Sequence, residues 1–157
     1  MPAPDWARLV AAYNHINHYG QANGMTLSVP APGQAEYRMV IRDEHLSSPG
    51  TAHGGVIAGL MDSALGAAAL TLAFSTGEFV STVEFKLNYL HPVRLHDQLL
   101  ARARVEHTGN KLIVCSCVVF RVDAEGQETA VAQGLGTFNR YPADKQEFGR
   151  PMALNKE

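Results

Sequence analysis

Between Val56 and Gly77 the chain carries a single charged side chain, Asp62, in a run richer in Ala and Gly than in Leu and Ile. A run of that length could cross a bilayer. Its carboxylate, however, opposes insertion by about 2.5–3.5 kcal/mol, and no Lys or Arg lies close to either end. The segment therefore reads as a helix buried inside a folded domain. A helix apolar on all sides must be wrapped by something else. The rest of the chain has to supply that wrapping.

The 157 residues suit one domain (1–157) with an N-terminal helix over about 5–19, a core over about 24–139 and an irregular tail over 140–157; such a chain buries about two-thirds of its unfolded surface. With 46% apolar and 18% charged residues it is neither disordered nor fibrous. A formal net charge of -2 gives no general attraction to nucleic acid or anionic membrane, so neither is expected as a partner. Cys115 and Cys117 are two apart, so on a strand both thiols share a face, and a disulfide between them would be strained. No Cys-x-x-Cys pair suggests a metal site. Buried thiols fit a reducing cytoplasm, and the start, Met1 to Asp5, has no basic region followed by an apolar core of the kind a secretory signal needs.

The periodicity around the apolar run changes character. Trp6, Leu9, Val10 and Tyr13 fall at helical spacing, with Asp5 as the N-cap and Gly20 as the stop. Strands are predicted over 25–29 and 35–42, then a loop over 45–51, then the long helix over 54–74. After it, Val83, Phe85, Leu87 and Tyr89 alternate with Thr82, Glu84, Lys86 and Asn88, the pattern of a strand with one buried face. Further strands are expected over 98–107, 111–121 and 128–138, separated by turns. One apolar helix and an antiparallel meander bury each other best when the sheet curls around the helix. The predicted class is α+β, a single hotdog domain. Any helix face left open would need a second copy of the chain.

The segment from His53 to Ala68 concentrates the chemistry. Gly54 and Gly55 at the helix start allow close approach to the backbone, or simply tight packing on the sheet. The first helical N–H groups lack intrahelical partners and carry the positive end of the dipole, so they can polarise a carbonyl. Asp62 is costly to bury among apolar residues unless it is hydrogen-bonded. Burial should push its pKa upward, so nearby donors are needed to keep it ionised. The alternative is an Asp capped by Ser63 or by neighbouring backbone. Eight residues separate Gly54 from Asp62, about 12 Å along one helix. A carboxylate and an oxyanion donor must both come within about 3 Å of one reacting carbonyl. Two helices from two subunits can do this; one cannot.

The stretch 49–69, with its His-Gly-Gly and downstream Asp, resembles the signature of the hotdog thioesterases, in the phenylacetate-pathway (PaaI-like) branch. Val83 to Pro92 and Gln133 to Phe138 are also similar to that family, and the resemblance covers about 25–139. It implies that Gly54 N–H polarises a thioester carbonyl, that Asp62 is nucleophile or general base, and that His53 lines the site and steadies its loop. Thr82 falls where some members place a hydroxyl that positions the hydrolytic water; otherwise it is an ordinary sheet threonine. Ser47 stands where many members carry Asn or Gln. Its shorter reach means that Ser48 or a water substitutes, or that activity is low or tuned to an unusual acyl group.

The implied reaction hydrolyses an acyl-CoA thioester in a homodimer, or a homotetramer built from dimers. No cofactor is implied, coenzyme A being part of the substrate. Gly55 and Ser48 would join the substrate site, and Arg94, Arg102, Arg104 and Lys111 are candidates for the CoA phosphates, each otherwise a solvated surface charge. Two other functions keep the fold: a non-catalytic acyl-CoA binder or sensor, and a hydratase or dehydratase using a His/acid pair.

Overall fold

A computed structural model describes residues 6–142, without the side chains of residues 8, 9 and 12. The expected Asp5 cap, the Leu9 contact and the tail from residue 143 onward lie outside it. Two short helices come first, α1 (Trp6–Ile16) and α2 (His18–Ala22), where the spacing predicted one. The break falls at Asn17, whose side chain caps α2 by accepting the Gly20 N–H at 3.0 Å. Asn favours caps over helix interiors because its amide competes for backbone groups. Gly20 consequently sits buried inside α2 and stops nothing.

Next come β1 (Thr26–Ser28) and β2 (Gln34–Val40), a 3-10 turn (Asp43–His45) and a small hairpin of β3 (Leu46–Ser48) and β4 (Thr51–Ala52). The hairpin occupies what the sequence suggested was a loop. The central helix α3 (Gly54–Ala73) then leads through a second 3-10 turn to β5 (Glu78–Tyr89), β6 (Gln98–Thr108), β7 (Leu112–Val122) and β8 (Glu128–Pro142). Six strands form one antiparallel sheet in the order β1-β2-β6-β7-β8-β5. Its face packs around α3, the hotdog arrangement.

Small residues let the helix approach closely. Ala101, Ala103 and Ala132 on the sheet and Ala64, Ala67, Ala68 and Ala69 on α3 are buried. A Cβ on Gly134 would overlap the Lys86 carbonyl and sit 2.7 Å from Met61 Sδ; one on Gly136 would sit 3.1 Å from Leu65 Cδ1. Met61 and Leu65 project into the space thus left; with Leu60 they are fully buried, each contributing about 1.5–3 kcal/mol of apolar transfer. The one buried hydroxyl of α3 is satisfied twice: Thr71 Oγ1 donates to the Ala68 carbonyl and accepts the Gly33 N–H, both at 2.7 Å. That bond ties the β1–β2 turn to the helix. With ten of its residues buried, α3 is the core helix of the fold and not a membrane span.

Two expectations are corrected. β8 continues to Pro142 because residues 139–142 pair with β5 from Glu78 to Ser81; the polar composition hid a strand specified by its partner. The second concerns β5, which lies at the sheet edge and whose apolar face is incompletely buried: Val83 and Tyr89 are 58% and 53% exposed, while Val80, Phe85 and Leu87 are partly covered by the core. Its ladder to β8 also slips between Thr82 and Glu84, leaving Val83 as a bulge.

Cys115 and Cys117 are free, buried and on one face of β7, as their spacing implied. Burial pushes both thiols up to about 12. Above their ordinary value near 9 the unfolded chain releases thiol protons that the folded chain keeps. Folding stability should therefore be full below that value and fall as pH rises from 9 toward 12, and chemical denaturation across this range should show the decline. At pH 8 a thiol reagent should label neither cysteine until the chain unfolds.

Candidate active site at the start and middle of the central helix

His53 caps α3. Its Nδ1 accepts the Gly55 N–H at 2.8 Å and its carbonyl accepts the Val56 N–H at 3.0 Å. Its own N–H donates to the His45 carbonyl at 2.8 Å, which fastens the cap to the turn before β3. The His45 ring is itself buried, with Nδ1 accepting the Arg42 N–H at 3.0 Å. Burial and then the Arg42 charge lower its pKa, against a smaller opposing pull from Glu44.

These bonds use the second and third amides of the helix and leave the first. Among the described residues nothing accepts the Gly54 N–H, so it remains a free donor at the positive end of a 20-residue helix. The glycines are accounted for by two rings. A Cβ on Gly54 would lie 2.9 Å from Tyr89 Oη, and one on Gly55 would lie 2.9 Å from His53 Nδ1. Tyr89 Oη also donates to the Gly54 carbonyl at 2.8 Å. Periodicity marked Tyr89 as a strand residue, and nothing in it said that the hydroxyl returns to the first turn of α3.

Asp62 sits two turns further along, half-buried. Its Oδ1 accepts a 2.9 Å hydrogen bond from Thr82 Oγ1. The alternation in the sequence had put Thr82 on the outer, polar face with Glu84 and Lys86. The bulge at Val83 turns it inward instead: Thr82 is opposite buried Phe138, while Glu84 is opposite Thr137 on the other face. Bulges re-aim side chains in this way beside functional sites. Ser63 is not the cap considered for Asp62, since its Oγ donates to the Gly59 carbonyl at 2.8 Å.

Ser47 and Ser48 are exposed on β3, and Ser47 occupies the irregularity between the Leu46 and Ser48 pairings. Their hairpin is joined to the segment after β5 by Ala52 N–H to Val93 carbonyl at 2.9 Å and by a bridge between Thr51 and Arg94. Between this segment and the start of α3 lies an open groove of about 330 Å³, with Gly54, Ile57, Tyr89 and Pro92 on its walls. Of the basic candidates, Arg94 is exposed beside that hairpin. Arg102 is engaged elsewhere: it pairs with Glu36 at 2.9 Å and with Glu128 through two 3.0 Å bonds, 5.3 Å over the Phe120 ring. Arg104 pairs with Glu106 at 2.7 Å. Exposed Lys111 lies in the β6–β7 turn, where its carbonyl accepts the Arg140 N–H. His/Cys/Asp/Glu groups able to hold a metal are absent among the described residues.

Known proteins give the arrangement a family. Residues 49–126 match the model described as the Thioesterase superfamily. The chain is 31% identical over 115 residues to human acyl-coenzyme A thioesterase 13, spanning 72% of this chain and 77% of that one. The chain belongs to the thioesterase superfamily. Its fold matches a thioesterase family protein from Silicibacter pomeroyi with a TM-score of 0.76, at 27% identity over 88% of this chain and 99% of the other. It also matches the phenylacetic acid degradation protein PaaI from Thermus thermophilus, at a TM-score of 0.68 and 28% identity over 78% of this chain and 98% of that one. The span 49–126 matched by the family contains Gly54, Asp62 and Thr82 and three of the six sheet strands, β5, β6 and β7.

In this superfamily member the Thr82 bond should be worth more to chemistry than to folding. Thr82→Val keeps the shape and removes the donor, so melting should move by no more than about 1 kcal/mol. Turnover of a thioester substrate should fall by about tenfold or more. Steady-state kinetics beside a urea titration read both quantities.

Proposed function

We propose that this protein hydrolyses acyl-CoA thioesters at two equivalent sites on the interface of a homodimer, each pairing Asp62 of one copy with the Gly54 N–H of the other. One observation carries the reading. A free helix-terminal amide and a hydroxyl-supported carboxylate occupy the same helix, about 12 Å apart along its axis. A single chain cannot bring both to one carbonyl carbon. The name of the human relative supplies the substrate class, an acyl group on coenzyme A.

The chemistry follows from the groups. Gly54 N–H, reinforced by the helix dipole, stabilises negative charge on the thioester oxygen as the carbon becomes tetrahedral. Asp62 either takes a proton from water while the water oxygen attacks, or attacks first and gives an anhydride that water then opens. In both routes the C–S bond breaks, the sulfur leaves with the electron pair and gains a proton, and the acid is released. Thr82 spends its one proton on Asp62 and keeps lone pairs that can orient a water. His53 fixes the cap so that Gly54 faces outward. Ser47, or Ser48 beside it, offers a hydroxyl where an amide is common in the family. Arg94 is the basic residue best placed for a CoA phosphate, since Arg102 and Arg104 already face carboxylates.

Support for the dimer comes from β5. A long strand at the edge of the described sheet, with Val83 and Tyr89 exposed, is a surface that proteins normally cover. A two-fold axis beside it would pair two copies of β5 and set the exposed sides of two α3 helices against each other. Two buried free thiols fit a reducing compartment, and we place the protein in the cytoplasm on that ground.

Complementation tests the shared site. Gly54→Pro, which removes the N–H at a first helical position where proline is tolerated, and Asp62→Ala should each abolish most thiol release from acyl-CoA. Co-refolding the two should return about a quarter of native activity, because half the dimers are hybrids and each hybrid holds one intact site. No recovery in verified heterodimers would refute the shared site. Tight acyl-CoA binding without thiol release, indifferent to Asp62→Ala, would instead identify a non-catalytic binder, the reading that Ser47 favours.

A further inference from the structure

Resting on the thioester reading above, we infer that Tyr19 is a specificity-determining residue, closing the acyl end of the site so that compact acyl groups, a short chain or a single ring, are preferred over long chains. The inference starts from the two glycines that flank Asp62 on α3. Gly59 lies three residues before it and Gly66 four after, so both share its side of the helix. Each is roofed by an aromatic ring. A Cβ on Gly66 would lie 3.3 Å from Phe138 Cε1; a Cβ on Gly59 would overlap the Tyr19 hydroxyl and lie 3.0 Å from its Cζ. Only a residue without a side chain lets the phenol rest there.

The two roofs differ in kind. Phe138 is 1% exposed and belongs to the core, whereas Tyr19 is 50% exposed. A substituent leaving a carbonyl at Asp62 toward the C-terminal end of α3 meets packed protein. Toward Gly59 it meets a ring with one side open, about one helical turn away.

The backbone that carries Tyr19 is also held from behind, which fixes where the ring can start from. Asn17 caps its helix and reaches the Tyr37 hydroxyl on β2 at 3.3 Å. Asn14 Nδ2 donates to the Leu27 carbonyl at 3.1 Å, and Asn14 Oδ1 accepts the Leu27 N–H at 3.0 Å. Met25 N–H donates to the Gly20 carbonyl at 2.7 Å. The N-terminal helices are thus anchored to the sheet at β1 and β2, and Tyr19 reaches from that anchor across to α3. An acyl chain longer than the gap must displace a ring whose backbone is fixed.

The test compares the native chain with Tyr19→Ala and Tyr19→Trp over acetyl- to decanoyl-CoA. It reads kcat/KM for each thioester and, by calorimetry, binding of the matching non-hydrolysable thioethers. Native protein should favour the short members. Tyr19→Ala should raise the octanoyl-to-butyryl ratio about tenfold or more, the discrimination that a few pocket methylenes supply, and Tyr19→Trp should lower it. An unchanged chain-length profile in a Tyr19→Ala protein that still hydrolyses thioesters would overturn the role of Tyr19 and leave the hydrolase standing. If no thioester is cleaved, a shift in the thioether binding profile on Tyr19→Ala would support the role of Tyr19 while the hydrolytic reading falls.

Discussion

Among the described residues one side chain donates to the Asp62 carboxylate, the Thr82 hydroxyl at 2.9 Å, and much of the surrounding structure can be traced to it. A carboxylate midway along an apolar helix needs a donor. The neighbouring β5 supplies one only because its register slips by a residue at Val83. Without the slip, Thr82 would point outward with Glu84 and Lys86, and the carboxylate would face the core side of the strand unsupported. The bulge has a second consequence. It leaves Val83 exposed on an edge strand, which is the surface a second copy would cover.

The start of α3 obeys a related economy. Its first three amides are divided between an internal cap and a free donor: Gly55 to the His53 ring, Val56 to the His53 carbonyl, Gly54 to nothing among the described residues. Tyr89 and His53 press on the two glycines, so their lack of side chains serves packing. Packing and polarisation, weighed as alternatives from the sequence, are compatible here. The rings pack on the first turn, and one amide there is left without an acceptor among the described residues.

Much of this was legible beforehand. The wrapped helix followed from a long apolar run with a single carboxylate, and the meander followed from alternation. The shared face of Cys115 and Cys117 followed from their spacing. What stayed hidden depended on partners distant in the chain. The inward turn of Thr82 comes from a bulge that alternating residue types conceal. The extension of β8 to Pro142 comes from pairing with Glu78 to Ser81. The split at Asn17 comes from a side-chain cap chosen over helix continuation, and the place of Tyr19 over Gly59 joins residues forty apart. The pairing of Arg102 on β6 with Glu36 on β2 and Glu128 on β8 joins three strands, and no local pattern displays it.

The central claim is that the reacting groups come from two chains. It is tested most directly by following activity and association together as the protein is diluted. Turnover per subunit, measured with acyl-CoA in a stopped or continuous thiol assay, should fall in step with the dimer fraction from fluorescence-detected sedimentation, reaching zero in the monomer. Full turnover per subunit in a solution shown to contain monomers alone would contradict the account.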